Sequence, residues 1–229
     1  LRTRCLVHYV TLFLLKFIQD SLPRPLQVLI RVTVMPHRDH LRRLSREYYQ
    51  GDAIVHWTIT VLDRRVGWLS GLFLYRFREL LTHTLFRYGL VCPVYCLMPD
   101  HMHLVWMGIT QGSDQLNAMK HFRPRCDESL KRIGYSLQDQ AYDHVLKEKE
   151  CRQNEFRNLI EYIARNPERA DLVECDEYRK YAYTGALVPG YPELRIFDVD
   201  FWNRFDKIVS NLRANGFLRI ASSGRGNES

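Results

Sequence analysis

Two apolar segments, residues 92–98 (CPVYCLM) and 101–107 (HMHLVWM), are separated only by Pro99-Asp100. Each is strand length, each is rich in β-branched or aromatic residues, and a Pro-Asp pair between them punctuates a turn. A chain that doubles back this tightly on two strands forms an antiparallel pair. Residues 53–61 (AIVHWTITV) supply a third strand by strict alternation: Val55, Trp57, Ile59 and Val61 point one way and His56, Thr58 and Thr60 the other.

Helical segments surround these strands. Asp63-Arg64-Arg65 and Gly67 end the first strand. Ser70 then offers an N-cap for a helix over 71–88, with Leu74, Phe77, Leu81, Leu85 and Tyr88 as its apolar stripe and Gly89 as its stop. Ser113 or Asp114 caps a second helix carrying Leu116, Met119 and Phe122, which Pro124 should kink or end. After a polar region (127–150), Phe156, Leu159, Ile160 and Ile163 mark a helix over 153–165, and Pro167 disfavours helix at Asn166. The order strand, helix, strand, strand, helix, helix predicts a single α+β domain, an antiparallel sheet with helices packed on one face.

The ends read differently. Residues 5–18 are mostly apolar, but they number only 14 and are broken by His8 and Lys16. A bilayer span needs about 20 apolar residues, so no membrane segment is expected. Residues 1–40 read as an N-terminal extension, with a functional start at Met35. Residues 206–229 read as a C-terminal helix or tail whose last ten residues are disordered.

The 229 residues carry 33 Lys and Arg against 26 Asp and Glu, a net +7 with pI ≈ 9.2. This balance admits an anionic partner, nucleic acid or membrane surface, without choosing between them. Six cysteines are too few for a disulfide scaffold and favour a reduced, cytoplasmic setting.

His101 and His103 carry the sharpest chemistry. On a strand they project from one face about 6.5–7 Å apart at Cα, so two imidazoles can converge on one divalent ion. From spacing alone, two sheet-surface histidines without a ligand are the commoner outcome. Cys92 and Cys96 offer a rival zinc set with them, but a regular strand holds those thiols about 13 Å apart, so two core thiols fit better. Tyr162 and Asn166, spaced i, i+4, share a helix face, with Arg157, Arg165 and Arg169 nearby. A phenol beside a metal-bound phosphodiester is a competent nucleophile. Taken alone, Tyr162 is more ordinarily a packing residue.

Together these strings form a recognisable whole. Leu97-Met98-Pro99-Asp100-His101-Met102-His103-Leu104-Val105, Tyr142-Asp143-His144-Val145-Leu146, Tyr162-Ile163-Ala164-Arg165-Asn166-Pro167, Ala170-Asp171-Leu172-Val173 and the stretch Tyr183–Pro192 resemble the IS200/IS605-like transposase family. This is the single-tyrosine branch of the HUH nucleases, and REP-associated tyrosine transposases are the nearer members. The resemblance spans roughly residues 45–205 (a domain over 41–205). It implies that His101 and His103 are metal ligands, that Tyr162 is the nucleophile and that Asn166 completes the metal site. It implies Mg²⁺ or Mn²⁺ as the cofactor and single-stranded or hairpin DNA as the partner. The reaction would be cleavage and strand joining through a 5′-phosphotyrosine, by a bacterial, cytoplasmic, DNA-associated protein. Family members often work as dimers, so it also admits a homodimer. The chain departs from the pattern before Tyr142, where Leu137-Gln138-Asp139-Gln140 stands in place of a usual tryptophan, at Pro124, and across residues 1–34. His144 is taken as structural.

Backbone binding to DNA needs cations. The candidates are Arg42, Arg43 and Arg46 before the first strand, Arg64 and Arg65 after it, and Lys120, Arg123 and Arg125 around Pro124. Arg76, Arg78 and Arg87 read as ordinary surface. Two other functions share these motifs: a domesticated DNA-binding protein that has lost the chemistry, and a zinc-stabilised interaction domain. The intact histidines, Tyr162 and Asn166 favour the transposase.

Overall fold

The computed structural model describes residues 43–217. The expected start at Met35, the extension over 1–40, the cation Arg42 and the tail after 217 lie outside the described residues. Five strands form one antiparallel sheet: β1 (Ile54–Thr60), β2 (Leu90–Leu97), β3 (His101–Gly108), β4 (Tyr142–Val145) and β5 (Thr184–Leu187). Their order is β4-β1-β3-β2-β5. The β2–β3 hairpin pairs Leu97 with Met102 and closes by Met98 N–H donating to the His101 carbonyl at 2.8 Å.

The helices are α1 (Gly71–Arg87), α2 (Gln115–Lys131), α3 (Gln153–Ala164), the one-turn α4 (Asn166–Arg169) and α5 (Phe201–Asn215). Capping follows the sequence. The Ser70 hydroxyl accepts from Phe73 N–H at 3.1 Å, and Asp114 accepts from Asn117 N–H at 2.9 Å. Each thereby satisfies one of the amides that a helix start leaves open. Gly89 follows α1 at φ 64°, a conformation that costs glycine little.

The alternation on β1 and β3 decides the layers. Val55, Trp57 and Ile59 of β1 and Met102, Leu104 and Trp106 of β3 pack with Phe77, Leu81 and Leu85 of α1 and Phe122, Cys126 and Leu130 of α2. Val94, Cys96 and Val105 point to the opposite face and pack with Phe156, Ile160 and Ile163 of α3. Val91 and Met107 meet Phe201, Phe205, Val209 and Leu212 of α5. Truncating a buried aromatic such as Trp106 or Phe122 to alanine removes about 3–5 kcal/mol of such packing.

The α+β class and the antiparallel sheet follow the sequence reading, while several details differ. Helices cover both faces, because β2 is buried along its whole length and needs a cover on each side. The sheet gains edge strands from the polar 142–145 segment and from 184–187. Residues 201–215 form one helix docked on the sheet, so the boundary drawn at 205 cuts through it. Pro124 does not end α2, which continues to Lys131 because Phe122, Cys126 and Leu130 all face the core.

The register of β2 shifts between Val91 and Val94, at Pro93. Proline has no N–H for the ladder, and within a sheet it sits at such irregularities. The shift turns Cys92 to the α1–α2 side and Cys96 to the α3 side. The two thiols therefore lie on opposite faces, rather than spaced along one. Burial holds both above the ordinary thiol range.

Candidate metal and nucleophile site

His101 and His103 stand at the start of β3, on the face away from Met102 and Leu104. Their Nε2 atoms face each other at 2.9 Å. Two ligands each about 2.1 Å from an octahedral ion sit about 3.0 Å apart, so this pair has the spacing of a shared chelate.

Each ring is held from behind. Asp100 Oδ1 accepts from His101 Nδ1 at 2.5 Å, and Arg64 Nη1 donates to Asp100 Oδ2 at 2.7 Å. Burial alone would raise the Asp100 carboxyl, but the hydrogen bond from His101 and the Arg64 charge hold it below the usual carboxylate range. The turn that presents Arg64 is unusual: Asp63 and Arg64 adopt φ of 55° and 52°, where residues with a Cβ rarely sit. It is pinned to the hairpin by Val61 N–H on the Asp100 carbonyl (3.0 Å) and Trp68 Nε1 on the Pro99 carbonyl (2.5 Å).

His103 Nδ1 lies 3.2 Å from Thr58 Oγ1 and 3.1 Å from His56 Nε2, both on β1. In register, Thr58 opposes His103, and His56 opposes His144 of the edge strand β4. His144 in turn meets Glu150 at 2.9 Å. Polar groups thus cross three strands on one sheet face. Burial first, then the neighbouring imidazoles His56 and His101, push His103 down to about 3. Burial, His144 and His101 push His56 down to about 4. Both rings are neutral at physiological pH, the state a metal ligand requires. A second ring nitrogen committed to a carboxylate or hydroxyl is the usual support of a ligating histidine. The donors present therefore fit a divalent ion.

α3 covers this same sheet face. Its buried side is Phe156, Ile160, Ile163 and Ala164, leaving Tyr162 half exposed. The Arg169 guanidinium lies 3.7 Å over the Tyr162 ring centroid. α3 stops at Ala164, and Asn166 opens the one-turn α4, so Tyr162 and Asn166 flank a helix break and do not share one continuous helix. Among the described residues, no hydrogen bond or ring contact joins Tyr162 or Asn166 to either imidazole. The histidines converge directly; Tyr162 and Asn166 belong to the helical layer on that side of the sheet, Tyr162 on the exposed part of α3.

Arg165, at the break, donates to Glu168 (3.0 Å) and Asp176 (2.7 Å) and stacks on Tyr178. This explains a second cluster of metal-ligating type. Glu168, Cys175 and Asp176 bring their ligand atoms within 4.8 Å of one another, but both carboxylates are already ion-paired with Arg165. The Cys175 thiol, hydrogen-bonded to Glu168 and facing the Asp176 charge, is held above its ordinary value and stays protonated. We read it as the fastening of the α3–α4 break.

The expected DNA-contacting cations have mostly found partners within the chain. Arg43 pairs with Asp143 at 3.1 Å, Arg46 with Asp114 at 2.5 Å, and Arg64 with Asp100 as above. Arg65 donates to the Gly134 carbonyl and stacks on Tyr135, Arg123 reaches the Gln138 carbonyl, and Arg125 reaches the His121 carbonyl. Lys120 is exposed. Sequence reasoning missed the supports of the histidine pair: Asp100, Arg64, Thr58 and His56. Asp100 was signalled by adjacency and His56 and Thr58 by their outward phase on β1; the Arg64 clamp had no sequence signal.

No family model matches the chain, and no curated protein matches it. Among solved structures, it is similar to a REP-associated tyrosine transposase bound to a REP hairpin. That match is 15% identical, covers 62% of this chain and 82% of that one, and has a TM-score of 0.52. At that identity the likeness is one of fold. Among the described residues, no helix is long and apolar enough to cross a membrane.

Proposed function

We propose that the chain is a metal-dependent DNA-cleaving and strand-joining enzyme of the tyrosine transposase type, acting on single-stranded or hairpin DNA. The observation that carries this reading is the chelate-spaced pair His101–His103, backed by Asp100 and Thr58, on the sheet face that α3, the helix carrying Tyr162, covers. The fold shared with a hairpin-bound transposase supports the substrate class.

His101, His103 and Asn166 would hold Mg²⁺ or Mn²⁺. When bound, the ion withdraws charge from a non-bridging phosphate oxygen and makes phosphorus more electrophilic. The Tyr162 phenol oxygen then attacks phosphorus and gives its proton to solvent. The bond from phosphorus to the 3′ oxygen breaks, and that oxygen takes up a proton. The products are a 5′-phosphotyrosine and a free 3′-OH. Attack by another 3′-OH reverses the step, so joining needs no external energy source. The Arg169 guanidinium, stacked on the phenol ring, would help to fix the side chain's orientation. Asp100 and Arg64 keep the His101 proton on Nδ1, leaving Nε2 to coordinate. Such an enzyme works where the DNA is, in the cytoplasm of a bacterial cell.

The test is covalent. Labelled hairpin DNA with Mn²⁺ should give a protein–DNA adduct with the native chain and none with Tyr162→Phe. An adduct that survives this change removes Tyr162 from its role. Tight hairpin binding with no adduct under any metal would instead support a DNA-binding protein without chemistry.

A further inference from the structure

A cavity of ≈ 350 Å³ lies on the other flank of α3, closed by the short helix Tyr178–Lys180, residues 196–199 and the start of α5. Its volume is in the roughly 300–1,000 Å³ range of small-molecule sites. Its walls are aromatic: Tyr178, Phe197 and Trp202. The Arg157 guanidinium lies 4.9 Å over the Trp202 ring and is anchored to Asp206 at 3.1 Å, while its buried Nε has no hydrogen-bond partner in the chain. Among the described residues, the one hydrogen bond of the Arg179 side chain goes to the Tyr178 hydroxyl, at 3.4 Å. Glu161 also lines the cavity, beside Tyr162 in sequence.

We propose that this cavity is a nucleobase pocket, taking one unstacked base of the single strand next to the phosphate that Tyr162 attacks. The proposal rests on the tyrosine reading and extends it to how the strand is held. Aromatic rings and a stacked guanidinium are the groups that grip bases irrespective of pairing. Two carboxylates line the cavity, Glu161, 3.6 Å from Arg165, and Asp198, 3.6 Å from Arg204; their remaining lone pairs disfavour a phosphate inside it but can accept from an exocyclic amine, so the ligand is a base edge and not the backbone. Arg179, free of any ion pair among the described residues, is the cation left for the neighbouring phosphate. Glu161 of the cavity wall directly precedes Tyr162 on α3, so the helix that carries the tyrosine also forms one wall of the cavity.

The tryptophans make the pocket visible. Of the four in the chain, Trp57, Trp68 and Trp106 are fully buried, and Trp202 alone is partly open. With EDTA present to prevent cleavage, a hairpin with an unpaired flank should quench tryptophan emission. The same hairpin with an abasic flank should not, and should bind about 5- to 100-fold more weakly, as loss of one stacked base predicts. Both measurements use the native chain, so neither depends on a variant folding. Trp202→Phe should abolish the quench and Arg179→Ala should weaken binding of the intact flank. Equal affinity for intact and abasic flanks with unchanged emission overturns the pocket. Quenching by the intact flank without any phosphotyrosine adduct under Mn²⁺ overturns the nucleophile and leaves the pocket standing.

Discussion

His101 Nε2 and His103 Nε2 face each other at 2.9 Å. With the His101 proton on Nδ1 toward Asp100, its Nε2 carries a lone pair. Two lone pairs cannot lie this close without something between them: a proton from His103 or a cation. For both Nε2 atoms to hold a cation, the His103 proton would sit on Nδ1, within reach of Thr58 Oγ1 and His56 Nε2. The native chain should therefore bind Mn²⁺, measured by the loss of the free-ion electron spin resonance signal. His101→Ala or His103→Ala should reduce that binding beyond detection while leaving the melting transition in place. Undiminished Mn²⁺ binding by both variants would locate the ion elsewhere.

The Arg64–Asp100–His101 chain predicts a graded series. Asp100→Asn cannot accept the His101 proton as a charge-assisted bond and should weaken Mn²⁺ about 10- to 100-fold, the usual effect of losing such support. Arg64→Ala should cost less, because Asp100 remains to orient the ring, and Arg64→Lys should recover part of the loss. A readout that separates orientation from folding is the His101 ring tautomer by nitrogen NMR in the metal-free protein. It should change with Asp100→Asn and stay fixed with Arg64→Lys.

Asp114 gives the chain a measurable acid limb. It caps α2 and pairs with Arg46 and Gln50. Burial would raise its carboxyl, but the Asn117 amide, Arg46 and Gln50 outweigh burial and lower it below the ordinary value. The folded state thus binds this proton more weakly than the unfolded state, so stability rises with pH across the interval between the two values. The contribution is present above about pH 4 and is lost as pH falls through the folded value. Asp114→Asn keeps the cap, since Asn caps as well as Asp, but loses the charge. Urea titrations should find it about 1 kcal/mol less stable at pH 7, with the difference shrinking as pH falls through the lowered folded-state value. A constant difference across that range would mean that the ion pair contributes nothing.

What the sequence made legible was whatever depends on local period and spacing. The phase of Val55, Trp57 and Ile59, the turn at Pro99-Asp100 and the caps Ser70 and Asp114 all read directly, because each follows from neighbours within four residues. The pairing of His101 with His103 read for the same reason. What stayed hidden depends on contacts made across the sheet. Residues 142–145 alternate too little to announce a strand, and they become one only by pairing with β1. The double burial of β2 gives a continuous apolar run, which does not say that helices come from both sides. Arg64 looked like a free cation because its partner, 36 residues away, is brought to it by the sheet. Cys92 and Cys96 are core thiols as the spacing suggested, but the irregularity at Pro93 sends them to opposite faces, which a regular strand does not predict.

Pro124 lies inside α2 and has no N–H to give the carbonyl four residues earlier, at Lys120, while its ring presses on that turn. The His121 carbonyl, in the same turn, accepts from the Arg125 side chain at 2.8 Å. An interior proline costs about 3 kcal/mol against alanine in an isolated helix. Here the helix persists because Phe122, Cys126 and Leu130 are buried on either side of the defect. Pro124→Ala should restore the missing hydrogen bond and raise stability by about 1–3 kcal/mol, read as a higher urea midpoint at unchanged slope. The gain falls short of the full propensity difference because alanine also frees the unfolded chain that proline restrains. If the bend at Pro124 sets where α2 meets the sheet, straightening it would instead strain Phe122 against Phe77 and Trp106, which it touches edge-on at 5.8 and 5.7 Å. A lower midpoint for Pro124→Ala would therefore show that the proline is built into the core's shape and is not a tolerated defect.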